Sequence, residues 1–87
     1  MLLSQLLPHI DVLECDGDRT VEVHGVTRDT RQVRRGSIFV AIRGAVVDGH
    51  ELVAELSDAA AIVVEESVTI PSGVCRIKVP NTKRALA

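Results

Sequence analysis

The chain has 87 residues and a formal net charge of −2, with 46% hydrophobic and 25% charged residues. That is one ordinary globular domain, and at this size folding buries only about 60% of the unfolded surface, leaving little room for a deep active site. Neither the charge nor the single aromatic, Phe39, supplies a basic face or a stacking platform for nucleic acid. No apolar run approaches the ~20 residues of a membrane span. The leucine-rich start lacks the basic segment and small-residue cleavage site of a secretory signal, so a cytoplasmic protein is expected. Cys15 and Cys75 stand in separate segments and read as two reduced, partly buried thiols, not as a metal site or a C-x-x-C redox motif.

Leu2, Leu3, Leu6 and Leu7 fall on one side of a short helix that Pro8 limits. Cys15-Asp16-Gly17-Asp18 reads as a turn. In TVEVHGV, Val21 and Val23 alternate with Glu22 and His24. This predicts a half-buried strand over 21–26, with Gly25 interrupting it as a bulge or a place of close backbone approach. The polar run RDTRQVRRG follows; Asp29 and Thr30 suit bonding to nearby backbone N–H groups, and Gly36 can take positive φ. SIFVAI is a continuous apolar run, which predicts a strand over 38–42 covered on both faces. RGAVVDGH is a loop with two glycines.

From about His50 to Ser57 the spacing of Leu52, Val53 and Leu56 becomes helical. AAAIVVEE predicts a second doubly covered strand, VTIPSG a loop, and VCRIKV a strand with Cys75, Ile77 and Val79 on one face. Its wetter face carries Arg76 and Lys78. Pro80 and Asn81 stop it, and Asn81 or Thr82 suits the N-cap of a further helix. That helix has about one turn of chain, too little to stand alone, so the chain is expected to be the front end of something longer. The succession predicts an α/β fold: a small three-layer sandwich with a mainly parallel or mixed sheet, in which residues 38–64 form a right-handed βαβ unit.

Catalytic signatures are lacking. There is no G-x-x-x-x-G-K-[ST] loop, since Gly44 to Gly49 continues with His50. Nor is there a G-x-G-x-x-G or G-x-S-x-G motif. His9, His24 and His50 lack metal-ligand spacing and read as surface or structural histidines. The acid pairs Asp16/Asp18 and Glu65/Glu66 read as solvated. No catalytic residue and no metal ligand is nominated. The loops are more informative, because in open α/β sheets ligands settle beyond the carboxyl ends of the strands. If the strands at 21–26 and 38–42 are parallel neighbours, TRDTR and RGAVVDGH share one edge. Together they offer backbone amides, the Thr30 hydroxyl and the apolar Val46 and Val47, which suits a flat heterocycle with amide-like edges, such as uracil. A plainer reading also stands, in which Asp29, Arg31 and Asp48 only tie the two loops together.

The stretch VHGVTRDTRQVRRGSIFVAIRGAVVDGHELVAEL…AAAIVVEE resembles the N-terminal domain of the Mur ligases. The family pattern is roughly D-[ST]-R-x-V-x-x-G-x-[LI]-F-V-A-x-x-G-x-x-x-D-G-H. It is met by Asp29-Thr30-Arg31, Val33, Gly36, Ile38-Phe39-Val40-Ala41, Gly44 and Asp48-Gly49-His50, and the likeness continues to the closing VPNTKRALA. Within the family the chain is most similar to the ligase that adds the third amino acid, diaminopimelate or lysine, to UDP-N-acetylmuramoyl-L-alanyl-D-glutamate. The resemblance implies that residues 1–87 are the UDP-substrate-binding domain of a longer ATP-dependent, amide-bond-forming ligase of peptidoglycan synthesis, inactive alone. It implies that Arg28, Thr30, Gly44, Ala45, Val46 and Val47 line the uridine part, while Asp29, Arg31, Asp48 and His50 shape the loops.

On the same resemblance this chain needs no cofactor of its own. ATP and magnesium would belong to the central and C-terminal domains of the parent ligase, which, with the UDP-N-acetylmuramoyl-dipeptide, are the implied partners. The sequence departs from the family at two places. Arg28 stands where a Tyr or Leu is usual, although a guanidinium can still lie flat against a ring. SDAAA lacks the glycine that usually ends the preceding helix, which leaves Ser57 or Asp58 to take the left-handed conformation. The alternatives are the front domain of the D-alanyl-D-alanine-adding ligase, whose pattern carries an aromatic where Val47 stands, and a stand-alone uridine-nucleotide-binding or interaction module.

Overall fold

Two strands are apolar on both sides, and the sheet is assembled around them. The structure, a computed structural model, describes residues 2–41, 56–66, 68–71 and 73–82. Its elements are α1 (Leu3–Leu6), β1 (Glu14–Asp16), β2 (Gly25–Thr27), β3 (Ser37–Val40), β4 (Ala61–Val64) and β5 (Cys75–Lys78), with 3-10 turns at Leu7–His9 and Thr30–Gln32. The strand order is β1-β5-β4-β3-β2. β2, β3, β4 and β5 run parallel, and β1 pairs antiparallel with β5 on the outer edge. The mixed sheet and the parallel β3–β4 neighbours are as expected, while the helix expected from His50 lies largely outside the described residues.

Every residue of β3 and β4 is buried, as SIFVAI and AAAIVVEE predict. Alternation then sorts side chains between two faces. Ile38, Val40, Ala61, Val63, Cys75 and Ile77 join Leu3 and Val23 on one face, against which Leu6, Leu7, Ile10 and Val12 pack. Phe39, Ala41, Ile62 and Val64 join Leu56, Ala59 and Val74 on the other, with Val33, Val68 and Ile70 packed against them. β5 has one dry side and one half-buried side. On the latter, Arg76 pairs with Glu14 at 3.1 Å and with Asp16 at 2.6 Å. Both carboxylates are well exposed, so each pair adds at most about 1 kcal/mol.

The N-terminal segment departs from expectation in detail. α1 is a single turn, too short to persist by propensity. It is held by the fully buried Leu3, worth about 1.5–3 kcal/mol, and by the Gln5 side chain, whose Oε1 accepts the Leu2 N–H at 2.8 Å. Leu2 itself is exposed and does not share the buried face. Its bridge to Glu22, and the Leu3 N–H bond to the Val21 carbonyl at 2.9 Å, explain the Val21/Val23 alternation. That segment pairs with the chain start, and the regular strand begins only at Gly25, opposite Ser37. Gly25 is therefore the first residue of β2 and not an interruption.

Cys15 and Asp16 lie in β1, not in a turn; the chain reverses at Gly17, whose φ of +127° suits only glycine. Ser57 and Asp58 do not take the left-handed conformation, because no described residue other than glycine has positive φ. There the Ala59 N–H closes a turn onto the Leu56 carbonyl at 3.2 Å.

Phe39 is the largest fully buried side chain, and no other aromatic exists to fill its place. Phe39→Ala is expected to lower stability by about 3–5 kcal/mol, read as a fall in the urea midpoint with the denaturant slope unchanged.

Candidate functional site

Because β2, β3, β4 and β5 are parallel, the segments that follow them gather at one edge of the sheet. Thr27 and Phe39 are register partners, so the loop after β2 opens beside the end of β3. Arg28, Asp29, Thr30 and Arg31 form the first wall of this edge. Gly44, Ala45, Val46, Val47, Asp48 and His50, named for the second wall, lie outside the described residues.

The first wall is locally fixed. Thr27 Oγ1 accepts the Asp29 N–H at 3.0 Å, which bends the chain as it leaves β2. Asp29 then caps the 3-10 turn Thr30–Gln32, its Oδ1 accepting the Arg31 N–H at 2.9 Å. The Arg31 guanidinium returns to the same carboxylate through Nε at 3.2 Å and a terminal nitrogen at 3.1 Å. Asp29 and Arg31 thus engage each other within one loop. Arg34 closes the segment by donating to the Arg31 and Val33 carbonyls, each at 3.1 Å. Thr30 is half-buried and Arg28 exposed. Among the described residues neither side chain has a hydrogen-bond partner, so a hydroxyl and a guanidinium remain available at the edge.

The far side of this edge was not foreseen. Glu65 follows β4 and Thr82 follows β5, and the two meet there. Glu65 Oε1 accepts the Thr82 N–H at 2.7 Å and the Thr82 hydroxyl at 2.9 Å. Glu65 is half-buried, not solvated as its sequence setting suggests. The carboxylate takes up both donors of Thr82, which is fully buried. Seventeen positions separate the two residues, and only the parallel β4–β5 pairing brings them together. Asp16 and Asp18 are also engaged, the former by Arg76 and the latter by the Thr20 N–H at 2.8 Å. No group of three His, Cys, Asp or Glu side chains gathers among the described residues in a way that could hold a metal ion.

The Arg31 side chain, its backbone N–H and its charge hold the Asp29 carboxyl below the ordinary aspartate value of 3.8. Asp29 therefore contributes above its unfolded pKa, and this contribution is lost as the pH falls through its lower folded value. In Arg31→Ala the Asp29 carboxyl should titrate closer to 3.8, as followed by carboxyl carbon NMR. Glu65→Ala strands the buried Thr82 donors and is expected to cost about 1–3 kcal/mol in urea unfolding.

Comparison with known proteins aligns the whole chain. The family model "Mur ligase family, catalytic domain" matches residues 22–87. A UDP-N-acetylmuramoyl-L-alanyl-D-glutamate–2,6-diaminopimelate ligase of Geobacter metallireducens is 36% identical over 100% of the chain, which covers 17% of that protein. The ligase of the same name from Clostridioides difficile is 33% identical over 100% of the chain and is covered to 18%. The chain thus spans less than a fifth of the length of these relatives. A crystal structure of MurF from Acinetobacter baumannii superposes with a TM-score of 0.81 at 22% identity, over 98% of this chain and 19% of that one. At that identity the likeness is one of fold.

Proposed function

Because the chain belongs to the Mur ligase family, matched over residues 22–87, we propose that it is the substrate-binding front domain of a third-residue ligase. In this reading it holds the uridine part of UDP-N-acetylmuramoyl-L-alanyl-D-glutamate, in the cytoplasm, while the rest of a longer ligase adds diaminopimelate or lysine at the expense of ATP. The observation that carries the reading is whole-chain identity of 36% and 33% to ligases named for that substrate and for diaminopimelate.

The edge described above suits this role. With the Asp29 carboxylate engaged by Arg31, the loop does not present an unpaired negative charge to an anionic nucleotide. Arg28 offers a cation, or a flat guanidinium, beside the ring, and the Thr30 hydroxyl offers one directional hydrogen bond to it. Gly44, Ala45, Val46 and Val47 supply the opposite wall, with Asp48 and His50 shaping that loop. This chain has no G-x-x-x-x-G-K-[ST] loop, so the ATP and magnesium of such a ligase, and the amide-bond chemistry they serve, are assigned to its other parts.

Amide NMR of the labelled chain, titrated with UDP-N-acetylmuramoyl-dipeptide, UMP and AMP, tests the proposal. Shifts are expected for both uridine compounds at Arg28–Arg31 and Gly44–Gly49, with none for AMP. Thr30→Val should weaken uridine binding by about 1 kcal/mol, roughly fivefold. Uridine-induced shifts confined to other parts of the chain, or none at millimolar ligand, would overturn it.

A further inference from the structure

On the opposite side of the sheet from β2, the two cysteines that read as isolated in sequence are neighbours. Cys15 Sγ lies 3.5 Å from Cys75 Sγ, although 60 positions separate them. Both are free thiols; Cys15 is partly accessible and Cys75 buried. The antiparallel register sets Cys15 opposite Ile77, so Cys75 lies diagonally across, on the same face of the ribbon, next to Gly17. A Cβ at Gly17 would stand 2.8 Å from the Cys75 Cα and 3.4 Å from its sulfur. A side chain at Gly17 would therefore crowd Cys75.

The dithiol also has an approach from solvent. A pocket of about 470 Å³ is lined by Ser4, Leu7, Val12, Glu14, Cys15 and Arg19 among others, and the Glu14 carboxylate is paired with Arg76. The Arg19 guanidinium has no partner among the described residues, and its charge favours the ionised form of Cys75, against the larger effect of burial. Nearby cations favour the thiolate, which is the reactive form of cysteine. Burial, followed by the bond to Cys15, pushes the Cys75 thiol up to about 12. The two sulfurs are therefore unequal: one meets solvent beside a cation, and the other is shielded behind it.

We propose that Cys15 and Cys75 form a thiol-modification site, at which Cys15 attacks a low-molecular-weight, carboxylate-bearing disulfide and Cys75 resolves the product. In the first step the Cys15 thiolate bonds to one sulfur of the small disulfide, and the other sulfur leaves as a thiolate. In the second, Cys75 gives up its proton and its sulfur attacks Cys15 Sγ, expelling the second small thiolate. Two protein thiols are oxidised to one disulfide, and one small disulfide is reduced to two thiols. Closing the bond brings the sulfurs from 3.5 Å to about 2.05 Å. Arg19 provides the charge that attracts the carboxylates of the incoming molecule.

The experiment incubates the purified chain with oxidised glutathione and reads intact mass and a non-reducing peptide map. The native chain is expected to lose two hydrogens, with the Cys15 and Cys75 peptides linked, and to recover its mass with dithiothreitol. Cys75→Ser should hold one stable glutathione adduct on Cys15, and Cys15→Ser should stay unmodified. The proposal is overturned if the native chain accumulates the adduct without forming the internal disulfide, gives only intermolecular dimers, or does not react. It is equally overturned if Cys15→Ser, shown folded by circular dichroism, is modified at Cys75 as fast as the native chain. The native-chain result does not depend on either variant folding.

Discussion

The parallel pairing of β3 with β4 is the constraint on which the remaining structure rests. The one polar residue in the two strands, Ser37, is itself buried and accepts the Arg34 N–H, so each needs cover on both faces and a neighbour on both edges. Alternation within them places Ile38 and Val40 in one core and Phe39 and Ala41 in the other. With one aromatic in the chain, both cores are filled largely by branched aliphatic side chains. Such cores depend on close interdigitation and not on a few large anchors. The same pairing also fixes direction. With β2 and β5 also parallel to β3 and β4, the chain leaves all four strands on one side.

The polar groups at that side are settled mostly among themselves. Asp29 and Arg31 neutralise each other inside one loop, and Glu65 serves two donors of Thr82. No buried side-chain nitrogen or oxygen among the described residues lacks a partner. Among the described residues of the loop after β2, the Thr30 hydroxyl and the Arg28 guanidinium have no partner, on a backbone fixed by the Thr27 and Asp29 bonds. That economy suits the substrate-positioning role proposed above.

The two inner strands were legible because SIFVAI and AAAIVVEE are apolar at consecutive positions, a pattern that only a doubly covered strand explains. β5 was legible from its alternation. The loop after β2 was legible through a motif whose spacing resembles a known family. Other features had no local signal. β1 is three residues with carboxylates on both flanks, and its strand character comes from pairing with β5, sixty or more positions away. Val21 and Val23 alternate as a strand should, yet they face the chain start and precede the strand itself. The Glu65–Thr82 bonds and the Cys15–Cys75 approach depend wholly on which strands become neighbours. Periodicity along one segment carries no information of that kind.

The two outer strands share a property that bears on how the molecule behaves in a crowded solution. Each is three residues long. Among the described residues no strand pairs with the outer side of either; β1 carries Glu14 and Asp16, and β2 begins with glycine and ends where Asp29 bends the chain. A foreign strand laid along either edge would gain only two or three ladder bonds before meeting charge or a turn. Short, charged or bent edges are what keep open sheets from growing by edge-to-edge addition. An exposed side chain such as Val26 can therefore be carried on an open edge without making that edge a template for aggregation.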